Sequence, residues 1–221
     1  MFNPDDFTPT TLDDVVFGNA ADKVKLQDIV SAKLPFPKFG KCGILLYGAW
    51  GTGKTTLAKM LPEIMEQART AQSAYSTLHP CAQGANGTSL MNKIVSQAQL
   101  VSFNASGLHY FVLDEIDNLT AAAQQSLKAI MNPPLSAVFI MTTNHIQEID
   151  AGIKSRSYLI QMDAATPADW LSVVRRVIAA CGAAVPPDAT LLPVIASCNG
   201  NARDIVSSAV RVAIAAQRRA A

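Results

Sequence analysis

The sequence predicts an α/β protein, a parallel sheet flanked by helices and followed by a small all-helical domain. Three observations predict it. Short apolar runs alternate with helix-period patterns at the spacing of crossover units through the first three quarters of the chain. A glycine-rich segment, Gly48-Ala49-Trp50-Gly51-Thr52-Gly53-Lys54-Thr55, joins one apolar run to one helical pattern. After Asp163 the strand-like runs stop and only helical patterns remain. The expected division is residues 1–162 for the sheet domain and 163–221 for the helical one.

The elements follow in order. Residues 1–14, rich in Pro, Thr and Asp, read as an extended arm. Asn19 stands where it can cap a short helix through Val24, Ile29 and Val30, broken by Leu34-Pro35-Phe36-Pro37. Ile44–Tyr47 is a buried strand. Behind the glycine-rich segment, Leu57, Met60, Leu61 and Ile64 share a helix face, and Pro62 predicts a kink or an early end. Ala74–Leu78 reads as a strand and Gly84–Thr88 as a turn, before a helix starting at Thr88 or Ser89 with Leu90, Met91, Ile94 and Val95 on one face. His109–Leu113 is a second buried strand. Thr120 caps a helix that buries Leu127, Ile130 and Met131 and stops at Pro133-Pro134. Ala137–Met141 and Tyr158–Met162 are further strands.

In the last quarter, Thr166-Pro167-Ala168-Asp169 is a capping box with proline in the first turn. Its helix carries Trp170, Val173, Val174, Val177 and Ile178 inward and ends near Gly182. A second helix covers Asp188–Cys198. Asn201 caps a third, with Ile205, Val206, Val210 and Ala213 inward and Arg218 and Arg219 suiting its C-terminal dipole.

Composition narrows the function. The chain is 49% hydrophobic and 16% charged with a net charge of +1, so it can bury a sizeable core but has no broad basic field; any DNA contact must be local. Its four cysteines, Cys42, Cys81, Cys181 and Cys198, form no C-x-x-C pair, which argues against a zinc ribbon and for reduced thiols. The acidic N-terminus lacks the pattern of a signal peptide, and no apolar run is long enough to span a bilayer. A cytoplasmic protein without membrane contact is the expectation.

The chemistry lies in the glycine-rich segment, which matches G-x-x-x-x-G-K-[ST] between a strand and a helix. Glycines let successive N–H groups turn inward around phosphate oxygens, and the helix N-terminus adds partial positive charge. Lys54 can reach the terminal phosphates and the Thr55 hydroxyl can hold Mg2+, with Thr56 next in the helix. Phe111-Val112-Leu113-Asp114-Glu115 is an apolar strand ending in two carboxylates, at the sheet edge where ligands gather. Asp114 can hold Mg2+ through water, and Glu115 can orient a water for attack on the last phosphate. Asn144, ending the next strand, can bond that phosphate or the water. Arg156 and Arg203 can stabilise transferring phosphate charge, although the residues alone favour solvated surface arginines.

The order of these parts resembles the AAA+ ATPases, and within them the sliding-clamp loader subunits of the replication factor C and phage type, from about Phe7 to Ala213. Phe7-Thr8-Pro9-Thr10-Thr11-Leu12-Asp13-Asp14-Val15-Val16 is similar to the family's N-terminal box, which places Val15 and Val16 beside adenine. Asp114-Glu115-Ile116-Asp117 is similar to its D-E-x-D box, and Leu119–Lys128 to the helix behind it. Asn144 falls at the sensor asparagine. Ser155-Arg156-Ser157 falls at the box that lends an arginine finger to a neighbouring subunit, and Gly200-Asn201-Ala202-Arg203-Asp204 at the lid's sensor arginine. Thr8 stands where the family usually has arginine, and Ser157 where it has cysteine.

The resemblance implies ATP and Mg2+ as ligands, with other AAA+ subunits, a sliding clamp and primed DNA as partners. The chain stops where such loaders begin a helical collar, so assembly is expected to rest on ATPase-domain contacts or a further partner. A helicase loader or transposition regulator would share the phosphate chemistry. A non-hydrolysing structural subunit is a third reading, against which the intact Lys54, Thr55, Asp114, Glu115 and Asn144 count.

Overall fold

The computed structural model describes residues 7–132 and 136–220, without the side chains of 219 and 220. Residues 1–6 of the expected arm, the Pro133-Pro134 stop and the Arg219 side chain lie outside the described residues. The chain divides into two compact units, one from residues 21–48 and 54–161, the other from residues up to 20, Ala49–Gly53 and 162 onward.

The first unit is a parallel sheet between helices. Its elements are α1 (Ala20–Val30), β1 (Gly43–Tyr47), α2 (Lys54–Thr70), β2 (Ser76–Pro80), α3 (Thr88–Ala98), β3 (His109–Asp114), α4 (Ala121–Ile130), β4 (Ala137–Thr143), the short α5 (Ala151–Ser155) and β5 (Ser157–Gln161). The five strands are ordered β2-β3-β4-β1-β5, all parallel. The central residues of β1, β3 and β4 are apolar and buried, as strands covered on both faces require, with polar residues only toward the ends of β3 and β4. Leu45, Phe111, Leu113, Phe139 and Met141 point to one face, where Leu90, Met91 and Ile94 of α3, Leu127 of α4 and Ile153 of α5 close a core. Alternation turns Ile44, Leu46, Val112 and Ile140 the other way, and α2 packs against β1, β3 and β4.

Several expectations shift. The helix α2 runs past Pro62 to Thr70, so the early end does not occur; Pro62 is buried with Leu57, Ala58, Leu61 and Met65, while Met60 and Ile64 are half-buried. The second strand lies two residues later than expected, at Ser76–Pro80, as an edge strand half-buried on alternate residues only. Thr120 caps α4 as expected, accepting from Ala123 N at 3.2 Å. The short α5 had no periodic signal.

The second unit packs α6 (Pro167–Ala180), α7 (Asp188–Ala196) and α8 (Ala202–Ala220) around Trp170, Val174, Val177, Leu191, Ile195, Ile205 and Ala209. The capping box at Thr166 and Asp169 forms as read. Asn201 Oδ1 accepts from Arg203 N at 3.0 Å. The inward seam of α8 is Ile205, Ala209 and Ala213, with Val206 and Val210 half-buried. The N-terminal segment is not wholly extended: Leu12–Asp14 is a 3-10 turn, and Phe7 and Val16 pack on the helical cluster.

Candidate nucleotide-binding site

In the sheet unit, the candidate residues gather at the carboxyl edge of the strands. Gly48 follows β1, Asp114 ends β3, Asn144 follows β4, and Lys54 and Thr55 open α2. Lys54 is buried and its Nζ donates to the Gly48 carbonyl at 3.0 Å. Burial pushes its ammonium below the ordinary value, and Asp117, Asp114 and Glu115 pull the other way. Lys54 thus lies at the carboxyl ends of the parallel strands, where ligands gather in such sheets.

Thr55 Oγ1 donates to Asp114 Oδ1 at 2.8 Å. These hard oxygens, one hydroxyl and one carboxylate, fit magnesium, which takes few protein ligands and keeps waters and phosphate oxygens. Among the described residues no cluster of three or more His, Cys, Asp or Glu is placed to hold a metal, and a phosphate-bound magnesium needs none. Glu115 is exposed and stands in the left-handed region, φ 59°, ψ 57°, at a backbone cost of roughly 1–2 kcal/mol for a non-glycine residue. Its N–H donates to Thr142 Oγ1 at 2.8 Å, and its Oε2 accepts from Asn118 Nδ2 at 3.3 Å. Thr142 in turn donates to Asp114 Oδ1 at 2.6 Å.

Arg156 is elsewhere. It directly precedes β5, whose Ser157 pairs with Gly43 at the start of β1, whereas Gly48 follows the end of β1. The two sheet edges are about 15–20 Å apart along the strands, beyond an arginine's reach. Its guanidinium lies on Asn132 Oδ1 and the Gly152 carbonyl.

In the second unit, the arch Ala49–Gly53 meets the start of α8. The Gly51 carbonyl accepts from Ala202 N at 2.9 Å, and Thr52 Oγ1 donates to the Ala49 carbonyl at 2.9 Å. Gly51 has φ +78° and a Cβ there would lie 2.5 Å from Asn201, so only glycine fits; Gly53 needs φ +90°. Trp50 is 67% exposed. Arg203 follows this junction by one residue and is exposed, and Val15 is buried beside half-buried Val16. Thr56 is half-buried in the first turn of α2.

The residues missed by sequence reasoning are Thr142 and Asn132. The signal for Thr142 was a hydroxyl inside an apolar buried strand; Asn132 had none.

The family model for the ATPase family associated with various cellular activities (AAA) matches residues 44–162. The chain is 31% identical over 163 residues to Replication factor C small subunit 2 of Pyrobaculum islandicum, covering 71% of this chain and 47% of that protein. It is likewise 31% identical over 158 residues to the Replication factor C small subunit of Sulfurisphaera tokodaii, covering 70% and 45%. The chain thus spans about half the length of these curated relatives. In fold it is similar to the Thermotoga maritima RuvB Holliday junction branch migration motor, with TM-score 0.67, 18% identity and 93% and 65% of the two chains covered. The FIGL-1 AAA domain in complex with ADP gives TM-score 0.64, 17% identity and coverage of 92% and 73%.

Proposed function

The chain belongs to the AAA family of ATPases, and from that membership we propose that it binds ATP with Mg2+ and hydrolyses it as one subunit of an oligomer that places a sliding clamp on primed DNA. The observation that carries the ATPase reading is the group at the carboxyl edge of the sheet, where Thr55 bonds Asp114 directly and Lys54, held on the Gly48 carbonyl, faces the charges of Asp114 and Glu115. The choice of clamp loading among AAA activities rests on the likeness to Replication factor C small subunits.

In this reading the glycine-rich loop wraps the phosphates and Lys54 offsets their charge. Thr55 and Asp114 hold magnesium, which when bound neutralises charge on the phosphate oxygens. Glu115 orients a water and takes its proton as the oxygen attacks the terminal phosphorus and ADP leaves; Asn144 bonds the same water or phosphate. Val15 and Val16 flank adenine, and Arg203 senses the nucleotide from the helical lid. Arg156, too far from its own loop, serves the ATP of a neighbouring subunit.

The surface proposed for the clamp is the apolar patch of Tyr75, Leu100, Val101 and Phe103, whose last three residues are 68%, 89% and 87% exposed. The Tyr75 and Phe103 rings lie 6.0 Å apart, and the patch rims a cleft of about 320 Å³. Exposed apolar side chains collected in this way mark contact surfaces.

Titration with labelled ATP tests the site. Lys54→Ala abolishes tight binding. Glu115→Gln keeps ATP and Mg2+ bound but hydrolyses on the order of a hundredfold more slowly, the scale of a lost general base. Unchanged affinity in the first variant, or full turnover in the second, overturns the respective assignment.

A further inference from the structure

Thr142 is the next-to-last residue of β4, level with Leu46 of β1 and 1% exposed. The strand before it, Ala137–Met141, is apolar, so a hydroxyl buried here is costly unless bonded. It has two partners. The Glu115 N–H can only donate and an ionised carboxylate can only accept, so the single hydroxyl proton points to Asp114 Oδ1, 2.6 Å away, while the oxygen accepts from Glu115 N at 2.8 Å. Thr55 adds a second bond to the same Oδ1. A continuous chain, Thr55–Asp114–Thr142–Glu115, therefore ties the start of α2 to the ends of β3 and β4. Glu115 holds a left-handed backbone without being glycine, a conformation that persists only where surrounding bonds fix it.

We infer that Thr142 is the positioning residue for both carboxylates of the hydrolytic step. With Thr142 and Thr55 both on Oδ1, Asp114 is held through one oxygen and offers Oδ2 to the ligands of the site. With its N–H pinned, Glu115 sets out from a fixed backbone direction toward the water it orients. Thr142 touches neither substrate nor water; it acts through the two acids. The inference rests on the ATPase reading above.

The test measures kcat, apparent KM for ATP and the Mg2+ dependence in the assembled full chain. Thr142→Val keeps the strand's shape and β-branch but removes the hydroxyl. Its kcat is expected to fall on the order of tenfold, as orientation of a catalytic group is lost, while apparent KM moves less than about threefold. Thr142→Ser restores the hydroxyl and recovers most of the rate. Thr142→Val added to Glu115→Gln costs little more, because both act on one step. Equal loss in the Val and Ser variants makes the methyl packing responsible and overturns the inference. So does an unchanged kcat in Thr142→Val, or a loss that adds in full to that of Glu115→Gln. Thr142→Ala replaces the Val variant if that does not fold, and failure of both to fold makes the hydroxyl a stability element, which also overturns it. Full turnover in Glu115→Gln alone instead sinks the ATPase reading, so the two failures are distinguishable.

Discussion

The guanidinium of Arg156 rests on the side-chain carbonyl of Asn132, with Nε and Nη2 donating to Oδ1 at 2.8 and 2.6 Å. Nη1 adds a bond to the Gly152 carbonyl at 2.9 Å. Three of the five guanidinium N–H groups are thus used within the chain, leaving two for an external anion. The Asn132 bonds also select one orientation of a long side chain that would otherwise spend entropy when it engages a phosphate.

This gives a prediction with two parts. Lys54→Ala chains mixed with Arg156→Ala chains recover ATPase activity, because one supplies the finger and the other the nucleotide. Asn132→Ala placed in the finger-supplying chain lowers that recovered rate by roughly three- to tenfold, the cost of a misoriented group of about 1 kcal/mol. No complementation in an oligomer confirmed by light scattering would count against a finger acting between subunits.

A second prediction concerns stability. Glu66 is fully buried on α2, where its carboxylate accepts from Ser106 N at 2.8 Å, Ser106 Oγ at 2.6 Å, Tyr110 Oη at 2.9 Å and Thr70 Oγ1 at 3.1 Å. Burial pushes the carboxyl up, but the bonds from Ser106 and Tyr110 outweigh it and hold the group below its ordinary value. Glu66→Ala strands a buried phenol and a backbone N–H at once, and is expected to cost about 3 kcal/mol or more. Thermal unfolding checks it. A shift no larger than that of an exposed substitution would show that water or rearrangement supplies the missing acceptor.

Much of this was legible in the sequence because the signals were local. The Gly48–Thr55 segment, the apolar strands with both faces covered, and the Thr120 and Thr166 caps each depend on residues within a few positions of one another. What escaped was set by contacts distant in sequence. Pro62 is a helix breaker by propensity, yet α2 continues because its buried face is packed. The edge strand β2 alternates exposed and half-buried residues, so its ends had no apolar contrast to mark them. Thr142 meets Asp114 from 28 residues away and Asn132 meets Arg156 from 24. No spacing rule announces such pairs.

A third prediction is a pH dependence in the second unit. Asp14 Oδ2 accepts from Thr11 Oγ1 at 2.8 Å and its Oδ1 from Arg176 Nη1 at 2.8 Å. The Thr11 bond first, and then the Arg176 guanidinium, hold its carboxyl well below the usual range. A depressed folded pKa contributes stability that is present above the unfolded value of about 4 and is lost as pH falls below it toward the folded value. Asp14→Asn removes that contribution. The variant is expected to be less stable at neutral pH but to lose less between about pH 4 and pH 2. Parallel acid-unfolding slopes for the two proteins would show that Asp14 is not coupled to folding.

The last prediction separates clamp loading from other AAA activities. Leu100, Val101 and Phe103 lie in the segment between α3 and β3, away from the carboxyl edge that holds Asp114 and Lys54. Their exposure leaves apolar area in water that a partner can cover, at about 25 cal/mol per Å² before the costs of association. Contacts to DNA phosphates would be screened by salt, whereas coverage of this patch would rest on burial. ATPase activity in the reconstituted assembly is therefore expected to rise when a cognate clamp and primed DNA are both added. The DNA part of the rise falls with salt. Replacing Leu100, Val101 and Phe103 together by serine should bring the clamp part down to a ratio near one, with turnover in the absence of clamp as the internal reference. Retention of the full clamp response would remove this patch from the interface. No response to clamp and primed DNA in the unsubstituted assembly would remove clamp loading itself, and would leave an AAA ATPase working on another partner.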